Sequence, residues 1–414
     1  MRNAILFAIF LLLPFIPASA QTLNVLHNFG VTFGDGNIPY ATPIMDGAGN
    51  LYGTTLSGGA HGLGSVYRLT PTSGGGWEET TLYSFAGIPD GASPHAQLLR
   101  DSAGNLYGTT IQGGVTAKHC NSSAPARGCG VIFKLTPAAQ GEWTETLLYT
   151  FTGGNDGGNP YARLIRDHAG DFYGTTTVGG SANHGVIFEL SPTASGWQQT
   201  VLHTFSGAND GNSPYAPVIF DRHGNLYGTT YEGGETGLGI VYRLSPHPSG
   251  AWTEQILHTF AGQTGNDGAE TFSGVVLDAA GNLYGTTFSG GEFNYGAVFE
   301  LVAAKGFASK LLHSFQLNGV DGTFPNGVIF DAVGNLWGTT QGAGALDGAG
   351  TVFKMTPGPN GWTESVLYTF EGSAQGVYPD VSPLIDPAGR IYGTTIWGGT
   401  LGSTNGGVTF QFVP

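Results

Sequence analysis

The chain has 414 residues, 71 of them glycine; 10% are charged and 12% aromatic. Glycine at this density with no three-residue period, beside so many rings, excludes collagen-like and disordered chains and points to a packed core joined by many turns. With 14 Lys and Arg against 29 Asp and Glu, a net charge of −15, the chain lacks the positive charge that binding to phosphate backbones requires, so no nucleic-acid partner is expected.

The N-terminus reads as a secretory signal peptide over residues 1–20: Arg2 is its positive start, residues 4–15 an apolar run, and Ala18-Ser19-Ala20 a small-residue cleavage site. The run is shorter than the ~20 residues that span a bilayer, and no later stretch is as apolar, so the mature protein is not expected to be membrane-embedded. The residue directly after the cleavage site is Gln21 and not cysteine, and no hydrophobic tail precedes Pro414, so neither a lipid nor a tail anchor is expected. Residues 21–414 are therefore expected to be secreted, extracellular or periplasmic.

One heptapeptide then recurs seven times. It reads GNLYGTT at Gly49, Gly104, Gly224 and Gly281, GDFYGTT at Gly170, GNLWGTT at Gly334 and GRIYGTT at Gly389, at intervals of 55, 66, 54, 57, 53 and 55 residues. Such a period, with turn residues between short alternating runs, marks propeller blades or a solenoid. The third copy predicts four strands, a to d, over 161–166, 172–176, 185–190 and 197–205. The two ends favour a closed ring. Residues 22–29, with Leu-His-Asn-Phe, match strand d but precede the first unit, while the seventh unit stops after strand c at 407–412. Pairing them removes both open edges. The predicted fold is an all-β, seven-bladed β-propeller, one domain over 21–414, with four strands per blade and the N-terminal strand completing the last.

The unit GNLYGTT…GG…VF-x-L-x-P resembles the GloVer tandem-repeat (choice-of-anchor) family of exported bacterial repeat proteins, over essentially the whole mature chain. The resemblance implies an exported repeat protein and brings no catalytic residues.

Residues present in every blade are read as structural. Asp46, Asp101, Asp167, Asp221, Asp278, Asp331 and Asp386 each precede a glycine by three positions, as in a type I turn. Asp35, Asp90, Asp156, Asp210, Asp267 and Asp321 each precede a glycine between strand d and the next strand a. These six invite a calcium reading, but without clustered ligands they are taken as turn formers; no cofactor and no metal site is assigned. His27, His203, His258 and His313 share their strand d position with Tyr83, Tyr149 and Tyr368, as suits packing residues with a wet tip. Cys120 and Cys129 lie within an insertion of about 115–129 in the second unit and are expected to form a disulfide that shapes this loop.

Function is sought where the units differ. Five residues after the loop aspartate, or after Gln375 in the last unit, stand Tyr40, His95, Tyr161, Tyr215, Phe272, Asn326 and Asp380. They begin the innermost strands and are expected to surround the channel mouth, with Tyr231 and Trp397 from the b–c loops farther out. Aromatic rings beside amide, hydroxyl and carboxylate groups suit a glycan or another polar extracellular ligand; the same side chains would also serve to plug the channel. The alternatives are a carbohydrate-active enzyme, a polysaccharide lyase or glycosidase with His95 and Tyr161 as base and acid near Lys118, His119, Arg127 and Arg163, and a structural or protein-interaction scaffold. No catalytic motif is present.

Overall fold

The computed structural model describes residues 21–116, 120, 128–207, 209–342, 348–372, 374–380, 382–400 and 406–414. The predicted signal peptide and Lys118, His119 and Arg127 lie outside them. Seven four-stranded antiparallel sheets form the blades of a ring. Among the described residues there is no α-helix, only three short 3-10 turns, and no helix is long and apolar enough to cross a membrane.

Blade three is typical: strands a to d are Ile165–Arg166, Phe172–Thr176, Val186–Thr193 and Gly196–Thr204. Strands b, c and d agree with expectation, but strand a is shorter than the predicted 161–166. The lost residues hydrogen-bond elsewhere: the Ala162 carbonyl accepts the hydroxyl of Thr109 from blade two at 3.3 Å. The first Thr of every GTT makes this bond to the next blade's innermost segment, at 3.0 to 3.4 Å. The last, from Thr394 to Ala41, crosses the closure.

The rest of the heptapeptide follows from its contacts. In blade one, Asp46 Oδ1 accepts the N–H groups of Ala48 and Asn50, both at 2.9 Å, while Oδ2 accepts the Asn50 amide and the Tyr52 hydroxyl. The motif glycine sits under an aromatic ring of strand c: a Cβ on Gly174 would lie 2.6 Å from Phe188. The second Thr caps the start of strand c, Thr176 Oγ1 accepting from Val186 N at 3.2 Å.

Blades join through aromatic pairs. The Phe that ends each strand d is buried and meets the strand c ring of the following blade edge-on, as Phe85 meets Phe133 at 5.1 Å and Phe315 meets Phe353 at 5.1 Å. The ring closes as expected. Thr22–Asn28 pairs antiparallel with Val408–Val413 in a register from Thr22 opposite Val413 to Asn28 opposite Val408. A bulge between Val25 and His27 repeats the bulge of every other c–d pair, including Ile187/Phe188 and Val241/Tyr242. The first strand is thus strand d of blade seven in detail.

Cys120 and Cys129 are bonded, with Cα atoms 5.0 Å apart. Both are buried in the core between blades two and three, against Phe151 and Leu148. The bridge is therefore part of this junction as well as a clasp on the loop.

The turn aspartates predict an acid limit to stability. Burial disfavours the Asp46 carboxylate, but the bonds from Asn50, the turn N–H groups and Tyr52 outweigh it and hold its pKa below the ordinary value; Asp101, Asp221 and Asp331 behave alike. A depressed folded pKa gives stability that is complete above the unfolded value of about 4 and lost as pH falls through the folded one. Glu145 is displaced the other way, raised by burial and by Asp90, so its contribution fades as pH rises from about 4 through neutrality. The melting temperature should peak at about pH 4 to 5 and fall on both sides. Glu145→Gln should shrink the alkaline limb, which other buried acids such as Asp380 and Glu364 share, and leave the acid limb unchanged, as scanning calorimetry from pH 3 to 9 would show.

Candidate functional site

The loop aspartates bring strand d back to the channel. Asp90 Oδ2 accepts from Ala86 N at 2.8 Å and from the Tyr83 hydroxyl at 3.1 Å. Asp156 does the same for Thr152 N and Tyr149, and His258 reaches Asp267 at 2.8 Å. The strand d tips of His27, Tyr83, Tyr149, His258 and His313, expected to be wet, are thus partnered by the aspartate seven to nine residues later, whereas His203 stands 3.6 Å from Asp210 and Tyr368 has no such aspartate. Past that aspartate, short bridges tie the d–a loop to the b–c loop, as between Gly91–Ala92 and Gln112–Gly113 or between Asn212 and Glu232. These small ladders were not visible in the repeat pattern, since each holds one or two residue pairs. They fix where the innermost segment starts.

All seven residues singled out by their offset from the loop aspartate, or from Gln375 in the last unit, Tyr40, His95, Tyr161, Tyr215, Phe272, Asn326 and Asp380, line one cavity of about 450 Å³ at the centre of the ring. Their rings form a continuous arc. Tyr40 lies 4.4 Å from His95, His95 5.1 Å from Tyr161, Tyr161 4.9 Å from Tyr215, and Tyr215 5.5 Å from Phe272. Tyr231 packs outside this arc against Phe272 at 4.4 Å, without lining the cavity. Phe288 extends the arc from Phe272 to Phe324. Trp397 lies elsewhere: it packs on the core of blade seven beside Val377 and does not reach the cavity.

Opposite the rings, blades six and seven present amide and acid groups. Asp380 accepts from the Gln341 amide, and Asn326 donates to the Pro379 carbonyl at 3.2 Å. Burial raises Asp380 to about 7 despite the Gln341 bond, so it is largely uncharged in weak acid. Tyr40 is pushed up to about 12 by burial, then by Asp380 and Tyr161. Burial also lowers His95 to about 4, against a bond with the Tyr161 backbone, which leaves a neutral imidazole at pH 7. An imidazole held that low is a poor general base.

A second tier below the mouth includes Arg163, expected near His95 and Tyr161 only in the enzyme alternative, together with Thr42, Gln97 and Ser382, which sequence reasoning missed. It stands two residues beyond the first, and strand alternation carries the signal, since residues i and i+2 share a face. Arg163 faces this cavity with its pKa lowered by burial, and among the described residues it has no carboxylate or other hydrogen-bond partner. An anionic ligand group would supply one. The arrangement offers stacking on one wall and hydrogen bonds on the other, with a cation beneath.

No curated protein matches the sequence. Among solved structures, the extracellular domain of BT4673 from B. thetaiotaomicron superposes with a TM-score of 0.56 at 10% identity, over 94% of this chain and 39% of that one. PorZ, a surface component of the type-IX secretion system of Porphyromonas gingivalis, gives 0.51 at 15% identity, over 92% of this chain and 47% of that one. The chain thus spans less than half the length of either, and at these identities the likeness is one of fold. The Gloeobacter/Verrucomicrobia repeat matches residues 15–120, 119–301 and 247–414, and these matches run through all seven GTT units. On these repeats and the blades they build, the chain belongs to the Gloeobacter/Verrucomicrobia repeat family.

Proposed function

We propose that the protein is an exported binding module whose channel mouth takes a glycan or similar polar ligand. The observation that carries this reading is the division of the cavity into an arc of five rings, from Tyr40 to Phe272, and a facing wall of Asn326, Gln341 and Asp380. A sugar has the same two characters, an apolar C–H face and an equatorial belt of hydroxyls. Plugging alone would not require an open volume of about 450 Å³ or an unpaired guanidinium within it.

A glycan array carrying neutral and carboxylated oligosaccharides, with titration calorimetry on the hits and product analysis, tests the proposal. Binding without turnover is expected. Arg163→Gln should weaken carboxylated ligands about tenfold and neutral ones little, the loss of one charge-assisted contact. Unsaturated products would make the protein a lyase instead. No binding to any glycan would leave the ring a scaffold.

A further inference from the structure

The binding reading leaves unused a set of polar side chains at the junctions between blades. The strand d His or Tyr of one blade, the loop aspartate after it and the residue six before the strand-ending Phe of the next blade converge there. Between blades one and two a phenol fills the meeting point: the Tyr83 oxygen lies 3.1 Å from Asp90 Oδ2 and 3.1 Å from Glu145 Oε2. Between blades three and four the same place belongs to His203, whose ring is shorter than a phenol. Its Nε2 stands 3.6 Å from Asp210 Oδ2 and 3.6 Å from Glu254 Oε1, beyond hydrogen-bond reach of both.

Two further observations indicate that this gap holds something. His203 Nε2 and Glu254 Oε1 are both sealed from solvent without a hydrogen-bond partner. Buried polar atoms without partners are rare, and here two of them face each other. Asp210 is also oriented: its Oδ1 accepts the N–H and hydroxyl of Ser206 at 2.8 and 2.7 Å, which leaves Oδ2 facing the gap. The three facing atoms lie within 4.8 Å of one another.

We propose that His203, Asp210 and Glu254 bind a divalent first-row transition-metal ion that joins blades three and four. Zinc and its neighbours sit about 2.0 to 2.2 Å from imidazole nitrogen and carboxylate oxygen. Two ligand atoms 3.6 Å apart, each about 2.1 Å from one ion, subtend about 120°, close to the angles such ions accept. The imidazole selects against calcium and magnesium, which take oxygen ligands. The Ser206 bonds fix the carboxylate as outer-shell partners fix metal ligands elsewhere.

Other junctions serve as controls. Between blades four and five, His258 is bonded directly to Asp267 at 2.8 Å and Ser309 takes the place of Glu254, so no ion is required. Between blades five and six, His313, Asp321 and Glu364 repeat the triad, but His313 Nε2 already lies 3.1 Å from Asp321 Oδ2. That site is the weaker one.

Titration of tag-free, chelator-treated protein with ZnCl2, by calorimetry and by thermal melting, tests the proposal. One tight equivalent is expected, with the melting temperature raised by roughly 3 °C at a hundredfold excess over Kd. His203→Tyr rebuilds the arrangement of Tyr83 and should weaken that equivalent at least a hundredfold, with little change in the melting temperature of the metal-free protein. His313→Tyr should leave the tight equivalent in place. Absence of a tight equivalent in the wild type, or equal binding by His203→Tyr, would overturn the proposal. Should His203→Tyr fail to fold, Glu254→Gln, which changes one atom, decides by the same comparison.

Discussion

A chain lacking residues 21–30 should lose more than about 5 kcal/mol of stability, or fail to remain monomeric, because blade seven then ends on an open edge. The deleted strand pairs along Val408–Val413 from Thr22 opposite Val413 to Asn28 opposite Val408. Without it, the N–H and C=O groups that Val408–Val413 uses in this pairing would face solvent as a template for other chains. Phe29 is 1% exposed and meets Tyr67 of blade one at 4.8 Å, so its loss alone compares with a Phe→Ala core substitution of about 3 to 5 kcal/mol. Leu23, Val25 and Leu26 lose their packing with it. The hydroxyl bonds from Thr394 to Ala41 and from Tyr67 to Thr409 still join blades seven and one, so the damage should begin at the edge and not scatter the ring. Thermal melting and light scattering on the truncated chain measure the effect. A synthetic peptide of residues 21–30 should restore the melting temperature by strand addition. An unchanged, monomeric truncation would contradict the pairing.

The blades were legible because their information runs along the chain: seven heptapeptides, and strand d displaced to the other end. The reasons for the motif were less legible. Asn50 and Tyr52 owe their place to Asp46, four and six residues earlier, a spacing the sequence contains. Thr54 owes its place to Ala96, 42 residues away in another blade, which no local pattern reveals. The site divides likewise. The offset of five from the loop aspartate found the seven mouth residues, since a turn of fixed length delivers the chain to the same point in each blade. Trp397, expected farther out on its b–c loop, packs on the core of blade seven and does not line the cavity, because a b–c loop can turn its aromatic into the blade. The strand d histidines pack edge-on against the strand-ending Phe, as His258 does against Phe260, but their carboxylate neighbours belong to the following loop and the following blade, which the strand pattern does not show. Interactions between blades are what the repeat leaves unwritten.

That separation of blade-building from ligand-facing residues can be tested with two rings. Phe315→Ala should lower stability by about 3 to 5 kcal/mol and leave ligand affinity in the folded protein unchanged. Phe315 is fully buried and fills the junction of blades five and six edge-on against Phe353, so its truncation leaves a cavity in the core. Tyr161→Ala should do the reverse. Its ring is half-buried on the cavity wall between His95 and Tyr215, so its removal takes away a stacking surface and little of the core. Glycan affinity should fall about fivefold to tenfold, or about 1 kcal/mol or more, while the melting temperature moves little. Urea unfolding and titration calorimetry on both proteins, at a temperature where Phe315→Ala is still folded, give the four numbers required. If Tyr161→Ala proves as destabilising as Phe315→Ala and binds its glycan unchanged, the rings of the channel are a plug and the ligand sits on another surface of the ring.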